Sequence, residues 1–307
     1  MSWVVIDNNE AKRIPVPSRL CANFEGITIS PFVLAELFKH PPNRKYIKNL
    51  AQYPVRLGMT PGEVMYQVAL LRRSRIVAFR PFHNQASEQV QKMLLDPPEQ
   101  KMQEHVAETT THIYRGSGVF KSVKQEIHDA LRSQGQEPRD FKFAGFADAL
   151  QKLATGPGNV LEGWLMKDVS EGGTRSVRTS PRALYMGAMQ NPYLRHYYHT
   201  YLWYRLGFQE VWAEEYKDWN IPIKKNDWTD ITLSLYAAPG DIILSADGTV
   251  RKAVSAVNPD RAVITALATE LLEALAESEA DPPSPEMASG DRRPSSLEMA
   301  SPAGAAR

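Results

Sequence analysis

The chain of 307 residues is long enough for one large domain or two small ones, and its composition, 43% hydrophobic, is that of a globular protein. The single cysteine, Cys21, excludes an intramolecular disulfide framework, and the formal net charge of +1 excludes a protein that is basic throughout. No apolar stretch approaches the roughly 18 residues of a membrane span, and no basic region followed by an apolar one opens the chain, so we expect a soluble cytoplasmic protein.

The first predicted strand ends on an acidic residue. Residues 3–6 are apolar and are followed directly by Asp7, with Asn9 two positions later. An acid at this position belongs either to a turn that closes the strand or to a functional site at the end of the strand. Both interpretations are compatible with the local sequence.

A second predicted strand leads into a helix that carries the next acid. Residues 27–29 are followed by Ser30, a favourable N-cap, and by Pro31, whose missing N–H costs nothing at the first helical position. The helix is predicted to end before the prolines at positions 41 and 42. Its second turn contains Glu36, which is either a solvated helix residue or a second carboxylate of a site.

A basic segment follows this helix. Between residues 39 and 80, nine residues are Lys or Arg and Glu63 is the only acid. Such a segment either forms a solvated face or holds the phosphate backbone of a nucleic acid, and the scarcity of acids favours the second interpretation. The candidate phosphate contacts are Arg72, Arg73 and Arg75. Residues 76–79 predict a strand.

The middle of the chain predicts mainly helices, broken at glycines and prolines between residues 84 and 207. Residues 41–219 are therefore interpreted as the basic segment and a helical insertion. Within it, residues 193–205 carry aromatic side chains at every helical spacing, which favours a helix buried in the subdomain or at an interface over aromatic rings that stack on nucleic-acid bases. His196 and His199 lie one helical turn apart there, but no nearby Cys or third His completes a zinc site.

Acidic residues return where the chain resumes an α/β pattern. Asp227 and Asp230 open an apolar run that begins like a helix. Residues 242–244 then predict a short buried strand, which is followed by Ser245 and Asp247.

The end of the chain changes character. Residues 260–279 predict an amphipathic helix. From residue 280 onward Pro, Ser, Ala and Gly dominate, so residues 280–307 are expected to be a disordered tail. A four-residue sequence repeated within this tail is too short to be a structural unit.

Several of these acids can converge, because the carboxyl ends of parallel strands meet at one edge of a sheet. Converging carboxylates repel one another unless a cation neutralises them, and Mg²⁺ or Mn²⁺ prefers oxygen ligands. Taken singly each acid is explained by a turn or a helix cap; taken jointly they favour a divalent-metal site. The candidate ligands are Asp7, Glu36, Asp230 and Asp247, with Asp227 as the alternative to Asp230. Asp241 precedes its strand, where a turn acid is expected, and is left out.

The order and local context of these elements resemble the PIN domain, the metal-dependent nuclease fold of ribonuclease toxins and RNA-processing enzymes. The residues that carry the resemblance are 6–9 (strand, Asp, then Asn), 29–37 (strand, Ser-Pro, helix with Glu), 226–230 (acids opening a helix) and 244–247 (strand, then Ser-x-Asp). The resemblance covers about residues 1–40 and 220–257. The stretch between Glu36 and Asp227 is longer than in compact members of the family.

The resemblance implies an α/β fold with three layers around a central parallel sheet. The PIN-like domain would be discontinuous, formed by residues 1–40 and 220–279 and interrupted by residues 41–219. Asp7, Glu36, Asp230 and Asp247 would hold Mg²⁺ or Mn²⁺ at the catalytic centre, with Asp227 as an alternate or outer ligand. Asn9 and Ser245 would orient water or a carboxylate by hydrogen bonding.

The implied function is a divalent-metal-dependent endoribonuclease, either toxin-like or RNA-processing. Its implied partner is RNA, and an antitoxin, another protein partner or a second copy of the chain is compatible with the sequence. A rival hypothesis is a catalytically silent PIN-like module that binds RNA or a partner protein. A DNA nuclease is a further alternative, since the same metal chemistry cuts either backbone.

Overall fold

The computed structural model of the chain describes residues 2–14, 24–119, 133, 146–155, 161–163, 165–166, 179–205, 225–258 and 263–273. Two expectations lie outside these ranges. They are the disordered tail at residues 280–307 and the part of the C-terminal helix beyond residue 273.

Short parallel strands form a five-stranded sheet. They are β1 (Ser2–Ile6), β2 (Phe24–Ile29), β3 (Val55–Leu57), β4 (Ile242–Leu244) and β5 (Ile264–Ala266). Hydrogen bonding places them in the order β3-β2-β1-β4-β5, and every neighbouring pair is parallel. The expected α/β class with a central parallel sheet is therefore confirmed.

The strands end level with one another. The paired last residues form one row across the sheet: Leu57, Ile29, Ile6, Leu244 and Ala266. The residue that follows each strand therefore lies at the same carboxyl edge of the sheet.

Helices surround and connect the strands. They are α1 (Asn8–Ala11), α2 (Pro31–Lys39), α3 (Arg44–Leu50), α4 (Pro61–Leu70), α5 (Arg73–Val77), α6 (Ser87–Leu95), α7 (Glu99–Val119), α8 (Phe146–Thr155), α9 (Pro181–Gln190), α10 (Pro192–Arg205), α11 (Lys225–Leu233) and α12 (Gly248–Val257), with 3-10 turns at Pro41–Asn43 and Ser234–Tyr236. Within the described residues, none of the helices is long and apolar enough to cross a membrane.

The starts of two helices follow directly from their sequences. The Ser30 hydroxyl accepts a hydrogen bond from the Val33 amide at 3.1 Å, and Pro31 occupies the first position of α2 as expected. Thr60 and Glu63 form a reciprocal capping box at the start of α4, in which each side chain satisfies a backbone N–H of the other residue.

Three sequence predictions of secondary structure need correction. Residues 76–79 are not a strand, because Ile76 and Val77 complete α5 and Ile76 is buried there. Residues 260–279 do not form one helix, since β5 occupies Ile264–Ala266 and pairs with β4. Strand β3 was not predicted, although it extends the sheet from within the segment interpreted as basic segment and insertion.

The core lies on both faces of the sheet, as expected for parallel strands covered by helices. Val5, Ile6, Ile29 and Leu244 are fully buried. The apolar strands of this chain therefore bury their side chains on both faces of the sheet. The polar residues that directly follow β1, β2 and β4 lie at the carboxyl edge.

Helix α10 belongs to this core, which confirms the interpretation of its aromatic residues. Tyr198, Tyr201 and Leu202 are buried. Burial lowers the pKa of His196 and of His199 to about 4 each, so both imidazoles are neutral near pH 7.

Candidate functional site

The strand order identifies the functional edge of the sheet. From β1 the chain moves outward through β2 and β3 on one side, and later through β4 and β5 on the other side. Connections therefore leave the carboxyl ends of β1 and β4 in opposite directions, which opens a crevice where open α/β sheets bind their ligands. Asp7 follows β1 and Ser245 follows β4, so both lie at this switch point.

Asp7 is held firmly at the edge. Its amide donates to the Leu244 carbonyl at 2.9 Å, which continues the pairing of β1 with β4. One carboxylate oxygen accepts from the Asn8 amide at 2.6 Å, and the other accepts from the Ser245 hydroxyl at 3.1 Å. Burial raises the pKa of Asp7, and the charges of Asp247 and Glu10 raise it further.

Ser245 connects the two strand ends. Besides donating to Asp7, its Oγ accepts from the Asp247 amide at 3.1 Å. Asp247 itself is exposed and caps α12, where its Oδ1 accepts from the Thr249 amide at 2.6 Å and from the Val250 amide at 3.2 Å. Asp247 is therefore a helix cap, and it also stands beside Asp7 as a second negative charge.

Helix α11 brings two more acids to this edge. Burial raises the pKa of Asp230 to about 8. Three other carboxylates contribute to this shift, in decreasing order: Asp7, Asp247 and Asp227. Because the charges of the other three residues act on Asp230, the four residues are named here the acidic cluster.

The acidic cluster contains Asp230 and also Asp227, its alternative as a metal ligand. Asp230 carries the large pKa shift, and Asp227 contributes to it from the first turn of α11. The ionised form of Asp230 is therefore the one that a bound cation would stabilise most.

Glu36 lies apart from this electrostatic group. Its side chain is 40% exposed on α2, and its Oε1 lies 3.9 Å from the Lys39 ammonium. Glu36 is also not among the charges that raise the pKa of Asp230. The structure thus brings together Asp7, Asp227, Asp230 and Asp247 and does not show Glu36 interacting with them.

The two residues selected to orient ligands have different surroundings. Ser245 is fully buried and hydrogen-bonded to Asp7, whereas Asn9 is exposed on α1. The neighbouring Asn8 has its side-chain Oδ1 buried, and this atom has no hydrogen-bond partner among the described residues. Asn8 was not selected from the sequence, although its position directly after Asp7 is a usable signal.

Tyr204 is a further residue that sequence analysis missed. It is 1% exposed on α10, and its hydroxyl has no hydrogen-bond partner among the described residues. Burial raises its pKa, and the charges of Asp230, Asp227 and Asp247 raise it further, so the hydroxyl stays protonated beside the acidic cluster. An unsatisfied buried donor next to carboxylates is costly in a fold without a ligand.

The basic segment divides between surface and interior. Arg72, Arg73 and Arg75 are exposed at the start of α5, and Arg73 Nη2 donates to the Gln190 side chain at 3.3 Å. Arg56 is different, because its side chain is 14% exposed and its Nε donates to Thr28 Oγ1 at 2.7 Å. The exposed arginines are available to a ligand, and Arg56 is a structural residue.

Asp241 is also structural. It accepts from the Trp3 amide and from the Ala238 amide, both at 2.9 Å, at the amino end of β4. Its other near neighbour is the Arg56 guanidinium, at 3.5 Å. Asp241 therefore lies at the edge of the sheet opposite to the acidic cluster.

The chain matches no protein-family model, no curated protein and no solved structure. The resemblance to the PIN domain therefore rests on the sequence motifs alone.

Proposed function

We propose that this chain is a divalent-metal-dependent endoribonuclease with a PIN-like catalytic centre at the acidic cluster. The observation that carries the proposal is the interaction of four carboxylates at the switch point of a parallel sheet. Burial first, and then the charges of the other three carboxylates, raise the pKa of Asp230 to about 8, so its ionised form is unfavourable without a cation.

The donor chemistry of the site fits Mg²⁺ or Mn²⁺. Carboxylate oxygens are the preferred ligands of these ions, and Asn8 Oδ1 is a buried acceptor beside them without a partner in the described part of the chain. Across the described ranges, no group of three or more His, Cys, Asp or Glu side chains is arranged to hold a metal ion as it stands. Binding therefore requires the carboxylates of the cluster to move closer together.

Each residue of the site has a role in this proposal. Asp7, Asp230 and Asp247 hold the ion, with Asp227 as an alternate ligand. Ser245 fixes the rotamer of Asp7 through its hydrogen bond. A bound divalent ion supplies activation of water and stabilisation of the leaving oxygen in phosphodiester hydrolysis. The Tyr204 hydroxyl stays protonated and remains a hydrogen-bond donor beside the negative charges.

The direct test is cleavage by the full chain of matched single-stranded RNA and DNA oligonucleotides, with Mn²⁺, with Mg²⁺ or with EDTA. We expect cleavage of RNA with either ion and none in EDTA, because the carboxylates cannot activate water without the ion. Products should form in a single hydrolytic step without a covalent enzyme intermediate. RNA cleavage that persists in EDTA contradicts the proposal, and preferred cleavage of DNA assigns the site to the DNA nuclease alternative.

A catalytically silent module is favoured by one observation. Asp7 Oδ1 and Asp247 Oδ1 both accept backbone N–H bonds at helix starts, so each of these acids has a structural use without any metal. The module would bind RNA without cutting it. RNA binding at an unchanged affinity in EDTA and in Mn²⁺, with no products, identifies this alternative.

The exposed arginines of α5 provide a separate prediction about substrate binding. Changing Arg72, Arg73 and Arg75 together to Ala should weaken RNA binding for every sequence alike. Each arginine that binds a phosphate in the wild type should, when removed, reduce the slope of log affinity against log salt by about 0.7, because fewer counterions are released. Cleavage at saturating RNA should be unchanged, and fluorescence anisotropy at several salt concentrations measures the slope.

A matched control removes three other exposed cations, by Lys92→Ala, Arg182→Ala and Lys252→Ala together. This triple variant has the same net charge as the first one. An equal loss of affinity in both variants would show that general charge, and not a site on α5, attracts the RNA.

A further inference from the structure

A cavity of about 250 Å³ opens at the same carboxyl edge of the sheet as the acidic cluster. Pro31, two residues after β2, and Gly58, directly after β3, contribute to its lining, together with residues of α2, α4, α6 and α7 and of the loops that precede α6 and α7. The cavity is smaller than the 300–1,000 Å³ usual for pockets that hold drug-sized ligands. Its size therefore suits one small ring system.

The walls offer surfaces for a planar group. Phe38 and His105 line the cavity, and their rings meet edge to face with centroids 6.0 Å apart. Met102 adds a buried, adaptable side chain. Aromatic and imidazole rings are the groups on which proteins stack unpaired bases.

The polar side chains that line the cavity include donors, among them Lys101 and Gln85, and acceptors, among them the carboxylate of Glu63. Glu63 Oε2 accepts from the Thr60 amide at 2.6 Å and from its hydroxyl at 2.9 Å, which leaves Oε1 unused within the described residues. His105 Nε2 lies 3.0 Å from the Pro31 carbonyl oxygen. Burial lowers the pKa of His105, so the neutral ring donates from Nε2 to Pro31 and keeps Nδ1 as an acceptor.

The cavity is close to the acidic cluster. Ile6 and Ile29 are paired at the ends of β1 and β2, so Asp7 and Ser30 are neighbours across about 5 Å. Gly58, which lines the cavity, donates its amide to the Ile29 carbonyl at 3.0 Å. A strand bound with its phosphodiester at Asp7 therefore passes the cavity within one or two nucleotides.

We propose that this cavity holds one unpaired nucleobase of the strand that is cut, and that it prefers a base with an amino group over uracil. The proposal rests on the proposed nuclease function and names the specificity of that site. Glu63 Oε1 accepts from the amino group of adenine, cytosine or guanine. Uracil presents carbonyl oxygens on both sides of its single Watson–Crick N–H, and these are repelled by the carboxylate.

The test uses two measurements on the full chain. Cleavage sites in a pool of randomised single-stranded RNA are sequenced in Mn²⁺, and binding of free adenosine, cytidine, guanosine and uridine is followed by ligand-observed NMR in EDTA. We expect the wild type to prefer amino-bearing bases by at least about tenfold at one position within two nucleotides of the cut, the size expected for specific contacts to a base edge. In NMR, uridine should bind most weakly.

Three variants make the test specific. Gln85→Trp adds bulk at the exposed rim of the cavity, and Asn84→Trp adds the same bulk at the adjacent exposed residue that does not line the cavity. Glu63→Gln retains the capping box with Thr60, because Gln serves in that motif as well. We expect Gln85→Trp to lose the base preference and nucleoside binding, Asn84→Trp to keep both, and Glu63→Gln to reduce the preference about tenfold.

The outcomes separate this inference from the nuclease proposal. RNA cleavage without base preference, or a preference that survives in both Gln85→Trp and Glu63→Gln, overturns the base cavity and leaves the nuclease proposal intact. Nucleoside binding that Gln85→Trp abolishes, in a chain that cuts no RNA, supports the cavity and overturns the nuclease proposal. Absence of both activities overturns both.

Discussion

Replacing Asp230 with Asn is expected to reduce metal-dependent RNA cleavage by about a hundredfold or more while leaving the metal-free protein at least as stable as the wild type. The loss of cleavage follows because Asn carries no charge with which to hold the cation. The retained stability follows because burial, and after it the neighbouring like charges, raise the pKa of the wild-type carboxyl to about 8, so its ionised form destabilises the fold. Initial cleavage rates and urea unfolding in EDTA at pH 8 measure the two effects.

Two companion variants make this result specific. Asp96→Asn removes a charge from an exposed acid outside the acidic cluster and should leave cleavage unchanged. Glu36→Gln removes the one candidate ligand that does not contribute to the pKa shift of Asp230. We expect Glu36→Gln to retain more cleavage than Asp230→Asn, and equal losses would place Glu36 among the ligands. Full activity in Asp230→Asn would contradict the proposed site.

The carboxyl edge was predictable because two acids follow short apolar strands. Residues 3–6 and 242–244 are buried runs, and a parallel sheet places the ends of such runs together. Asp7 and Asp247 could therefore be selected from the sequence without any knowledge of the contacts between them. Ser245 was identifiable for the same reason.

The two outer strands of the sheet, β3 and β5, were not predictable in this way. Strand β3 carries Arg56 between Val55 and Leu57, so it lacks the continuous apolar run by which β4, a strand of the same length, was predicted. Residues 264–266 lie in a sequence with helical periodicity, and pairing with β4 fixes them as a strand. Glu10 helps to end strand β5. Its buried carboxylate accepts a hydrogen bond from the Ala268 amide at 2.6 Å, where a new helical segment begins.

The surroundings of the acids depend on packing between distant elements. Tyr204 reaches the acidic cluster only because α10 packs against α11, and nothing in the sequence near Tyr204 indicates that contact. The sequence likewise did not determine whether Glu36 joins the other acids. It predicted the helix correctly, but not the direction in which the Glu36 side chain points. Sequence motifs thus identified the acids that follow strands, and tertiary packing decides which other side chains join them.

The second large effect concerns pH in the absence of divalent ions. The ordinary pKa of an Asp carboxyl is 3.8, and that of Asp230 in the folded protein is about 8. The folded state therefore holds a proton that the unfolded state releases, so the stability contributed by the protonated Asp230 is full below about pH 4 and is lost as pH rises to about 8. The total loss is up to about 6 kcal/mol, at 1.36 kcal/mol per pH unit.

The buried histidines change in the opposite direction over part of this range. His196 and His199 have folded pKa values of about 4 against an ordinary value of 6.5, so their contribution to stability grows between those two pH values. In the unfolded state these histidines are half protonated at pH 6.5 and mostly neutral above about pH 7, so the effect of Asp230 is clearest between about pH 7 and 8. Over that interval the free energy of unfolding should fall by about 1 kcal/mol in EDTA.

Chemical denaturation of the wild type and of Asp230→Asn, in EDTA and in Mn²⁺, measures this dependence. The fall between pH 7 and 8 should be absent in Asp230→Asn, because Asn does not titrate. Mn²⁺ at a hundred times its dissociation constant should stabilise the wild type by about 2.7 kcal/mol, and more strongly as pH rises, because the ion binds the deprotonated carboxylates. Equal pH slopes in both proteins would mean that Asp230 does not carry the shifted pKa. An equal increase in the free energy of unfolding on adding Mn²⁺ to both proteins would mean that Asp230 is not a ligand. The ion would then be bound by the other carboxylates of the acidic cluster alone.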